Sequence, residues 1–220
     1  MTATLLFDLD GTLAETDWAH LKAFEIVLGD HGIDIDEAIF KARVVGRSNL
    51  EIGAHFFPDM TAAEQKAICD HKEAVYREIV GRIEPVPGLL ALLDWADRHD
   101  IRCGVVTNAP RLNADHILVG LGLADRFASV VCGQELPESK PHPLPYLTGL
   151  AELGGDAAIS VAFEDSPSGL SAAVAAGLPV IGMTTNLAAA EVLAAGATMA
   201  ASDFTDAAML AFVRARTGRQ

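Results

Sequence analysis

Hydrophobic and polar positions follow a clear alternation in the second half of the chain. Short apolar runs of strand length alternate there with longer stretches of helical periodicity. Strands separated by helices are joined by right-handed crossovers and therefore favour a parallel sheet. The predicted strands are 102–106, 129–132, 159–163 and 180–183. The predicted helices are 112–121, 143–153, 168–176, 187–195 and 206–214.

An apolar run near the start of the chain predicts another strand of the same sheet, covered on both faces. Asp8 and Asp10 follow this run, and side chains two residues apart point to the same face of an extended strand. Both carboxylates are therefore expected at the carboxyl end of a buried strand, where open α/β sheets place their sites. Two like charges there need a cation or a shared proton, and carboxylate oxygens suit Mg²⁺.

The segment between this strand and the rest of the sheet is helical in character, and no convincing strand interrupts it. A Pro-Val-Pro-Gly sequence at 85–88 ends the segment. The predicted helices are 19–30, 49–57, 62–80 and, after the break, 89–98. The predicted fold class is therefore α/β. A Rossmann-like parallel-sheet core comprises residues 1–14 and 86–220, and an inserted all-α domain comprises residues 15–85.

The composition narrows the classes of partner. Acidic residues outnumber basic ones by 30 to 16, which gives a net charge of −14. Such a chain attracts neither nucleic acid nor an anionic membrane surface. The three cysteines lie far apart, which indicates reduced thiols, and no apolar stretch reaches the length of a membrane span. We therefore expect a soluble cytoplasmic protein, either a monomer or a weak homodimer.

Two further polar groups end or follow predicted strands, and a third lies between them on a loop. Thr107 ends the strand 102–106, Lys140 lies in a Ser-Lys-Pro-His-Pro sequence, and Glu164 and Asp165 come directly after the strand 159–163. Each alone has an ordinary interpretation, namely a capping hydroxyl, a solvated lysine and acids near a helix N-terminus. In this order, after Phe7-Asp8-Leu9-Asp10-Gly11-Thr12, the groups together resemble the four motifs of the haloacid dehalogenase superfamily of phosphohydrolases.

The resemblance implies roles for these residues. Asp8 would be the phosphorylated nucleophile, and Asp10 the general acid/base, for which a raised pKa would be suitable. The Thr107 hydroxyl and the backbone N–H of Asn108 would bind a phosphoryl oxygen, and Lys140 would neutralise charge. The implied Mg²⁺ ligands are Asp8, Asp10, Glu164 and Asp165.

The helical insertion resembles the type 1 cap of this superfamily, and the chain is similar to its group of β-phosphoglucomutases and sugar- or glycolate-phosphatases. That resemblance implies substrate-binding roles for His20, Arg47 and Lys72, although plain surface positions are an equal alternative. Asn49 stands where the mutase has a phosphate-binding Arg. Because a mutase must hold two phosphates, we expect a Mg²⁺-dependent phosphatase acting on a small phosphorylated metabolite. The alternatives are a β-phosphoglucomutase-like mutase and a non-catalytic binding protein on the same fold.

Overall fold

The structure is a computed structural model that describes residues 2–219. Its centre is a six-stranded parallel sheet in the order β3-β2-β1-β4-β5-β6. The strands are β1 Thr4–Phe7, β2 Arg102–Thr107, β3 Ser129–Cys132, β4 Val161–Glu164, β5 Val180–Met183 and β6 Met199–Ala201. The helices after residue 88 are α5 Leu89–Arg98, α6 Arg111–Gly120, α7 Leu144–Leu153, α8 Pro167–Ala175, α9 Ala189–Ala194 and α10 Ala207–Thr217. The predicted α/β class with a parallel sheet is confirmed.

The position of β1 determines where the polar residues meet. It lies between β2 and β4, so that Phe7 pairs with Val105 on one side and with Phe163 on the other. The chain order reverses here, and open parallel sheets form a crevice beyond the strand ends at such a point. Residues that follow β1, β2 and β4 therefore converge on one place.

Aromatic packing beneath the crevice holds these strand ends in position. The rings of Phe7 and Phe163 stack with centroids 4.7 Å apart, and Phe204 packs edge-on against both. All three residues are buried. Fully buried aromatic rings contribute large apolar areas, so these contacts stabilise the strand ends that form the floor of the crevice.

The inserted segment between β1 and α5 is all-helical in the described residues. Its helices are α1 Asp17–Gly29, α2 Glu37–Arg43, α3 Asn49–Phe56 and α4 Ala62–Ile79. A small core of its own includes Phe24, Phe40 and Ile52. The chain leaves the core after β1 and returns to it before α5, and these two connections lie side by side. Val86 N–H, on the second connection, donates to Leu13 O, on the first, at 2.9 Å. This inserted all-α cap is the one that the sequence predicts, and its limits at residues 14 and 86 stay a prediction.

Three local differences from the predicted elements have simple causes. Helix α2 was missed because it has only seven residues, and the Asp36 carboxylate, which accepts from Ile39 N–H, stabilises its start. Strand β6 was missed because a Met-Ala-Ala sequence has little strand propensity. Strand β4 begins at Val161 because Ala157–Ile159 forms a 3-10 turn. No helix within residues 2–219 combines the length and the apolar character that crossing a bilayer requires.

Candidate active site

Asp8 lies at the centre of the crevice, directly after β1. Its backbone N–H donates to Phe163 O at 2.9 Å, which holds it beside β4. Lys140 Nζ donates to Asp8 Oδ1 at 2.6 Å and to Glu164 Oε1 at 2.5 Å. All three side chains are buried. The structure therefore brings together three of the predicted site residues, although they are far apart in the sequence.

Two ion pairs determine the charge of Lys140. Burial alone would lower the pKa of this lysine, but the carboxylates of Asp8 and Glu164 raise it above its usual range. Lys140 is therefore a permanent cation beside the predicted nucleophile. In that position its ammonium group can stabilise negative charge on a group that Asp8 attacks.

Glu164 is held by several donors and positions Lys140 in turn. The Tyr146 hydroxyl donates to Glu164 Oε1 at 2.7 Å, and the Ser166 hydroxyl donates to Oε2 at 3.2 Å. Glu164 is completely buried against the start of α8. A Cβ at Gly169 would collide with its carboxylate, so only glycine allows this close approach. Neither Tyr146 nor Gly169 was assigned a role from the sequence.

The acidic residues of the crevice fit a divalent cation. Oxygen atoms of Asp8, Glu164 and Asp165 lie within 4.8 Å of one another. Burial raises the pKa of Asp8 to about 8 even though Lys140 opposes the shift, and burial together with the charge of Asp8 raises the pKa of Asp165. With all three acids ionised, their negative charge would exceed the single positive charge of Lys140, and a hard cation would compensate the difference. Because the Glu164 oxygens already accept from Lys140 and two hydroxyls, Asp8 and Asp165 have the oxygens best able to hold Mg²⁺.

Asp10 points away from this acidic cluster and toward the cap. The Thr16 hydroxyl donates to Asp10 Oδ1 at 2.5 Å, and His20 Nε2 lies 3.4 Å from the same oxygen. On the far side of the ring, Lys72 Nζ is 3.2 Å from His20 Nδ1. An ammonium can only donate, so Nδ1 accepts and Nε2 has the proton that faces Asp10. Tyr76 stacks on the His20 ring at 3.8 Å and fixes its plane.

The same donors lower the pKa of Asp10, whereas the resemblance favours a raised pKa for a general acid/base. Burial alone would raise its pKa, but the hydrogen bonds from His20 and from the Thr16 hydroxyl, together with the charge of Lys72, lower it. The expected raised pKa is therefore wrong for this conformation, because the neighbours nearest to Asp10 are donors rather than other carboxylates. Among the described residues, Asp10 is also not part of the three-acid cluster, and its role as a metal ligand stays a prediction.

Thr107 and Asn108 lie at the end of β2, beside Asp8. The Thr107 side chain is buried, and its hydroxyl oxygen accepts from Ala109 N–H at 3.0 Å, which leaves the hydroxyl proton free to donate. The Asn108 side chain instead braces the neighbouring loop, because its Nδ2 donates to Lys140 O at 3.0 Å and its Oδ1 accepts from Lys140 N–H at 3.1 Å. Both residues line the cavity.

The three predicted cap residues have different surroundings. Lys72 is only 2% exposed and forms an ion pair with Glu73 at 2.8 Å, so it is not a surface lysine. His20 bridges Lys72 and Asp10, as described above. Arg47 is exposed at the edge of the cavity, where its guanidinium donates to Ala42 O at 3.4 Å. His20 and Lys72 thus belong to the inner site, whereas Arg47 lies at its rim.

Several residues of the site were not found from the sequence. The buried Glu73 carboxylate also accepts from Asn49 Nδ2 at 2.9 Å and from Asn113 Nδ2 at 2.6 Å. Asn186 Nδ2 donates to Asp165 Oδ2 at 2.5 Å. No sequence signal distinguishes Glu73 or Asn113 from ordinary polar residues on helices, because their importance depends on how α4 of the cap packs against α6 of the core.

Cap and core enclose a cavity of about 100 Å³ between them. Gly46 O, on the cap, accepts hydrogen bonds from Asn108 Nδ2 at 3.5 Å and from Ser168 Oγ, both on the core. Typical ligand pockets are several times larger. The small volume is therefore suited to a compact polar group.

Comparison with known proteins agrees with this geometry. Residues 5–183 match the family described as haloacid dehalogenase-like hydrolase. A phosphoglycolate phosphatase from Rhodospirillum rubrum is 32% identical over 213 residues, which are 93% of this chain and 88% of that protein. The predicted enzyme class, a phosphatase of this family, is confirmed by these similarities.

Two solved structures show the same architecture. One is a CbbY variant from Rhodobacter sphaeroides in complex with xylulose-(1,5)bisphosphate, with 27% identity, a TM-score of 0.81 and coverage of 94% of this chain and 96% of that one. The other is a β-phosphoglucomutase from Clostridium difficile, with 22% identity, a TM-score of 0.87 and coverage of 99% and 98%, and its similarity concerns the fold alone. On the family match and this shared architecture, the chain belongs to the haloacid dehalogenase-like hydrolases.

Proposed function

We propose that this protein is a Mg²⁺-dependent phosphatase that hydrolyses a small phosphorylated metabolite, a sugar phosphate or a compound like phosphoglycolate, through an aspartyl-phosphate intermediate. The observation that supports it best is the buried Lys140 ammonium between Asp8 and Glu164, with Asp165 beside them and Thr107 at the next strand end. Phosphoryl transfer depends mainly on positioning and charge neutralisation, and this arrangement supplies both.

In the first step, a carboxylate oxygen of Asp8 attacks phosphorus, and the bond between phosphorus and the ester oxygen breaks. Asp10 gives a proton to the departing alkoxide, which leaves as the alcohol. Lys140 and the Thr107 hydroxyl are placed to hold the phosphoryl oxygens. Mg²⁺, held by Asp8 and Asp165, would supply further neutralisation of the phosphoryl charge.

In the second step, water attacks the phosphorus of the aspartyl phosphate, and inorganic phosphate and the Asp8 carboxylate are released. Asp10, ionised after the first step, takes the proton from that water. The lowered pKa of Asp10 in this structure favours the ionised form that the second step needs. The negative charge of a bound phosphate ester would raise that pKa and favour the protonated form that the first step needs. His20 and Thr16 stabilise the carboxylate between the two steps because both hydrogen bonds point at the same oxygen.

The named substrates of the similar proteins are compatible with this proposal, since they include a phosphoglycolate phosphatase and a protein bound to a sugar bisphosphate. A mutase is the second candidate because of the shared architecture. A mutase needs a second anion site in the cap, however, and Lys72 is already paired with Glu73 while Arg47 is exposed at the rim. Hydrolysis is therefore the better-supported activity.

The test is phosphate release from a panel of phosphorylated sugars, polyols and acids by the purified protein with Mg²⁺, with an Asp8→Asn variant as the blank. Wild-type release that the variant lacks is expected. For the mutase, hexose 1-phosphate with a catalytic amount of hexose 1,6-bisphosphate is followed by phosphorus NMR. Conversion to the 6-phosphate without phosphate release would replace the proposed function by the second candidate.

A further inference from the structure

The part of the cavity that faces away from Asp8 is formed by the cap. We call its polar residues the cap wall, and these are Asp17, Asn49, Lys72 and Glu73, all of which line the cavity. The leaving group of a bound phosphate ester would contact this wall, because the phosphoryl group itself is held by the core. The chemistry of the cap wall therefore determines which leaving groups are accepted.

Glu73 is the central charge of the cap wall. It is 4% exposed and accepts from Lys72 Nζ at 2.8 Å, from Asn49 Nδ2 at 2.9 Å and from Asn113 Nδ2 at 2.6 Å. Burial alone would raise its pKa, but the charge of Lys72 lowers it, so that Glu73 is ionised. Three groups, two from the cap and one from the core, thus hold a carboxylate at the place where an anionic leaving group would need a cation.

The Lys72–Glu73 pair removes the positive charge that Lys72 would otherwise offer. The Lys72 ammonium is already occupied by Glu73, by His20 Nδ1 at 3.2 Å and by the Phe24 ring, whose centroid is 4.4 Å away. A carboxylate or a second phosphate on the substrate would have to compete with Glu73 for it. Arg47, at the exposed rim, is screened by solvent.

The cap wall offers acceptors for hydroxyl groups instead. Asp17 Oδ2 is buried and accepts no hydrogen bond within residues 2–219, although the Asn186 amide, which donates to Asp165, is close enough to Asp17 to oppose the rise in its pKa that burial causes. A buried acceptor without a partner is costly, and a substrate hydroxyl would satisfy it. An anionic substrate group has no proton to donate there.

Building on the proposed phosphatase function, we propose that Glu73 is a specificity-determining residue. It makes the cavity select phosphate monoesters of neutral, hydroxyl-bearing alcohols and reject esters whose leaving group has a carboxylate or a second phosphate. Of the two substrate classes in the proposed function, this selects sugar phosphates and excludes phosphoglycolate-like compounds. Rejection comes from like-charge repulsion in a buried site, and acceptance comes from hydroxyl donors that meet the Asp17 and Glu73 carboxylates.

The first test uses the wild-type protein and two substrates of nearly equal size, 2-hydroxyethyl phosphate and 2-phosphoglycolate. They differ in having a hydroxymethyl or a carboxylate group at the far end. We expect kcat/KM to favour the neutral ester by about tenfold or more, because two buried like charges repel strongly. Equal rates, or a preference for phosphoglycolate, would overturn the inference without any variant being needed.

The second test removes the charge of Glu73. In Glu73→Gln, Lys72 becomes free to bind an anionic leaving group, so the ratio of kcat/KM for the two esters should fall by about tenfold. The matched control is Glu78→Gln, on the same helix α4 but exposed, which changes the net charge equally and should leave the ratio unchanged. An unchanged ratio in a folded Glu73→Gln would overturn the role of Glu73, and thermal unfolding checks the fold.

If Glu73→Gln does not fold, Asp17→Asn provides the second variant, because it also removes a cap-wall charge and should shift the ratio in the same direction. An aryl phosphate separates this inference from the proposed function. If no ester, including the aryl phosphate, releases phosphate, the proposed function fails. If the aryl phosphate is hydrolysed but the two small esters are not distinguished, only the inference about Glu73 fails.

Discussion

The core half and the cap half of the cavity differ in their balance of negative and positive charge. On the core side, Lys140 pairs with Asp8 and Glu164, and Asp165 adds a third carboxyl group, so these acids outnumber the lysine that they share. On the cap side, Lys72 is matched by Glu73 within 2.8 Å, and the pair is close to neutral. The core half therefore needs a cation to balance its charge, whereas the charges of Lys72 and Glu73 in the cap half balance each other.

This difference in charge balance indicates that the core half performs the chemistry and the cap half recognises the substrate. Core groups follow the ends of adjacent strands, where the sheet fixes their spacing, and each is buried. Cap groups lie on helices α1, α3 and α4, and they reach the core through few contacts, such as Glu73 with Asn113 and Gly46 with Ser168. Changes in the core half should therefore abolish turnover on every substrate. Changes in the cap half should alter which substrates are used.

The largest effect is expected for Asp8→Asn. An amide cannot form the acyl phosphate, so kcat should fall by about a thousandfold or more on every substrate. The fold should persist, because asparagine is similar in size to aspartate and the backbone bond to Phe163 is retained. Phosphate release and circular dichroism check the two expectations. Substantial remaining activity in a folded variant would mean that another group is the nucleophile.

The core half is also the part that the sequence predicted best. Asp8, Thr107, Glu164 and Asp165 directly follow or end apolar strands, so a local pattern places each at the same edge of a parallel sheet. Lys140 lies on a loop, and it was found only through the resemblance of its motif. The strands themselves were predicted because buried parallel strands are continuous apolar runs.

The cap half could not be predicted in the same way. Its helices were mostly found, but the partners of Lys72 were not, because Glu73, Asn49 and Asn113 meet only when α3, α4 and α6 pack together. The pKa of Asp10 was misjudged for the same reason, since His20 reaches Asp10 from the cap. Long-range packing determined these features, and single-sequence periodicity contains no information about it.

A second large effect is expected from removing the metal ion. Chelation with EDTA should abolish phosphate release, because the buried acids then face the substrate phosphate uncompensated. Mg²⁺ should restore activity, and Ca²⁺ should not, because the larger ion accepts more and looser oxygen ligands and would spoil the in-line position of Asp8. The readout is phosphate release after dialysis and addition of each ion. Full activity in EDTA or in Ca²⁺ would contradict the proposed metal site.

A smaller effect is expected where the cap contacts the core, at Gly46. Its φ is +73°, and a Cβ there would lie 2.8 Å from the Ser166 Cβ. Gly46→Ala should therefore hold the cap away from the core and lower kcat/KM by about tenfold on a cap-contacting substrate.

Gly32→Ala is the matched control for this contact. Gly32 has a φ of +72° but nothing within 4 Å of an added Cβ, so it imposes the same backbone strain without the collision. Comparing kcat/KM of the two variants isolates the cap–core contact from the strain. If both variants lower kcat/KM equally, backbone strain alone lowers activity, and the contact between cap and core at Gly46 does not contribute.

The smallest effect is expected for Lys72→Ala, and it is confined to one class of substrate. KM for the metabolite should rise several-fold, because Lys72 lines the part of the cavity next to the leaving group and compensates the charge of Glu73 there. An aryl phosphate, whose leaving group makes few cap contacts, should be scarcely affected, since Lys140 and Thr107 still hold its phosphoryl group.

Removing Lys72 also leaves Glu73 buried without its cation, so the thermal unfolding temperature should fall. Lys66→Ala is the control for both effects. This lysine lies on the same helix and pairs with Asp70 at 2.6 Å, but it is exposed, and exposed pairs contribute little. If Lys72→Ala lowers kcat/KM equally for the metabolite and the aryl phosphate, Lys72 serves the chemistry or the fold rather than substrate selection. If kcat/KM is unchanged for both substrates, the cap half does not select the substrate through Lys72.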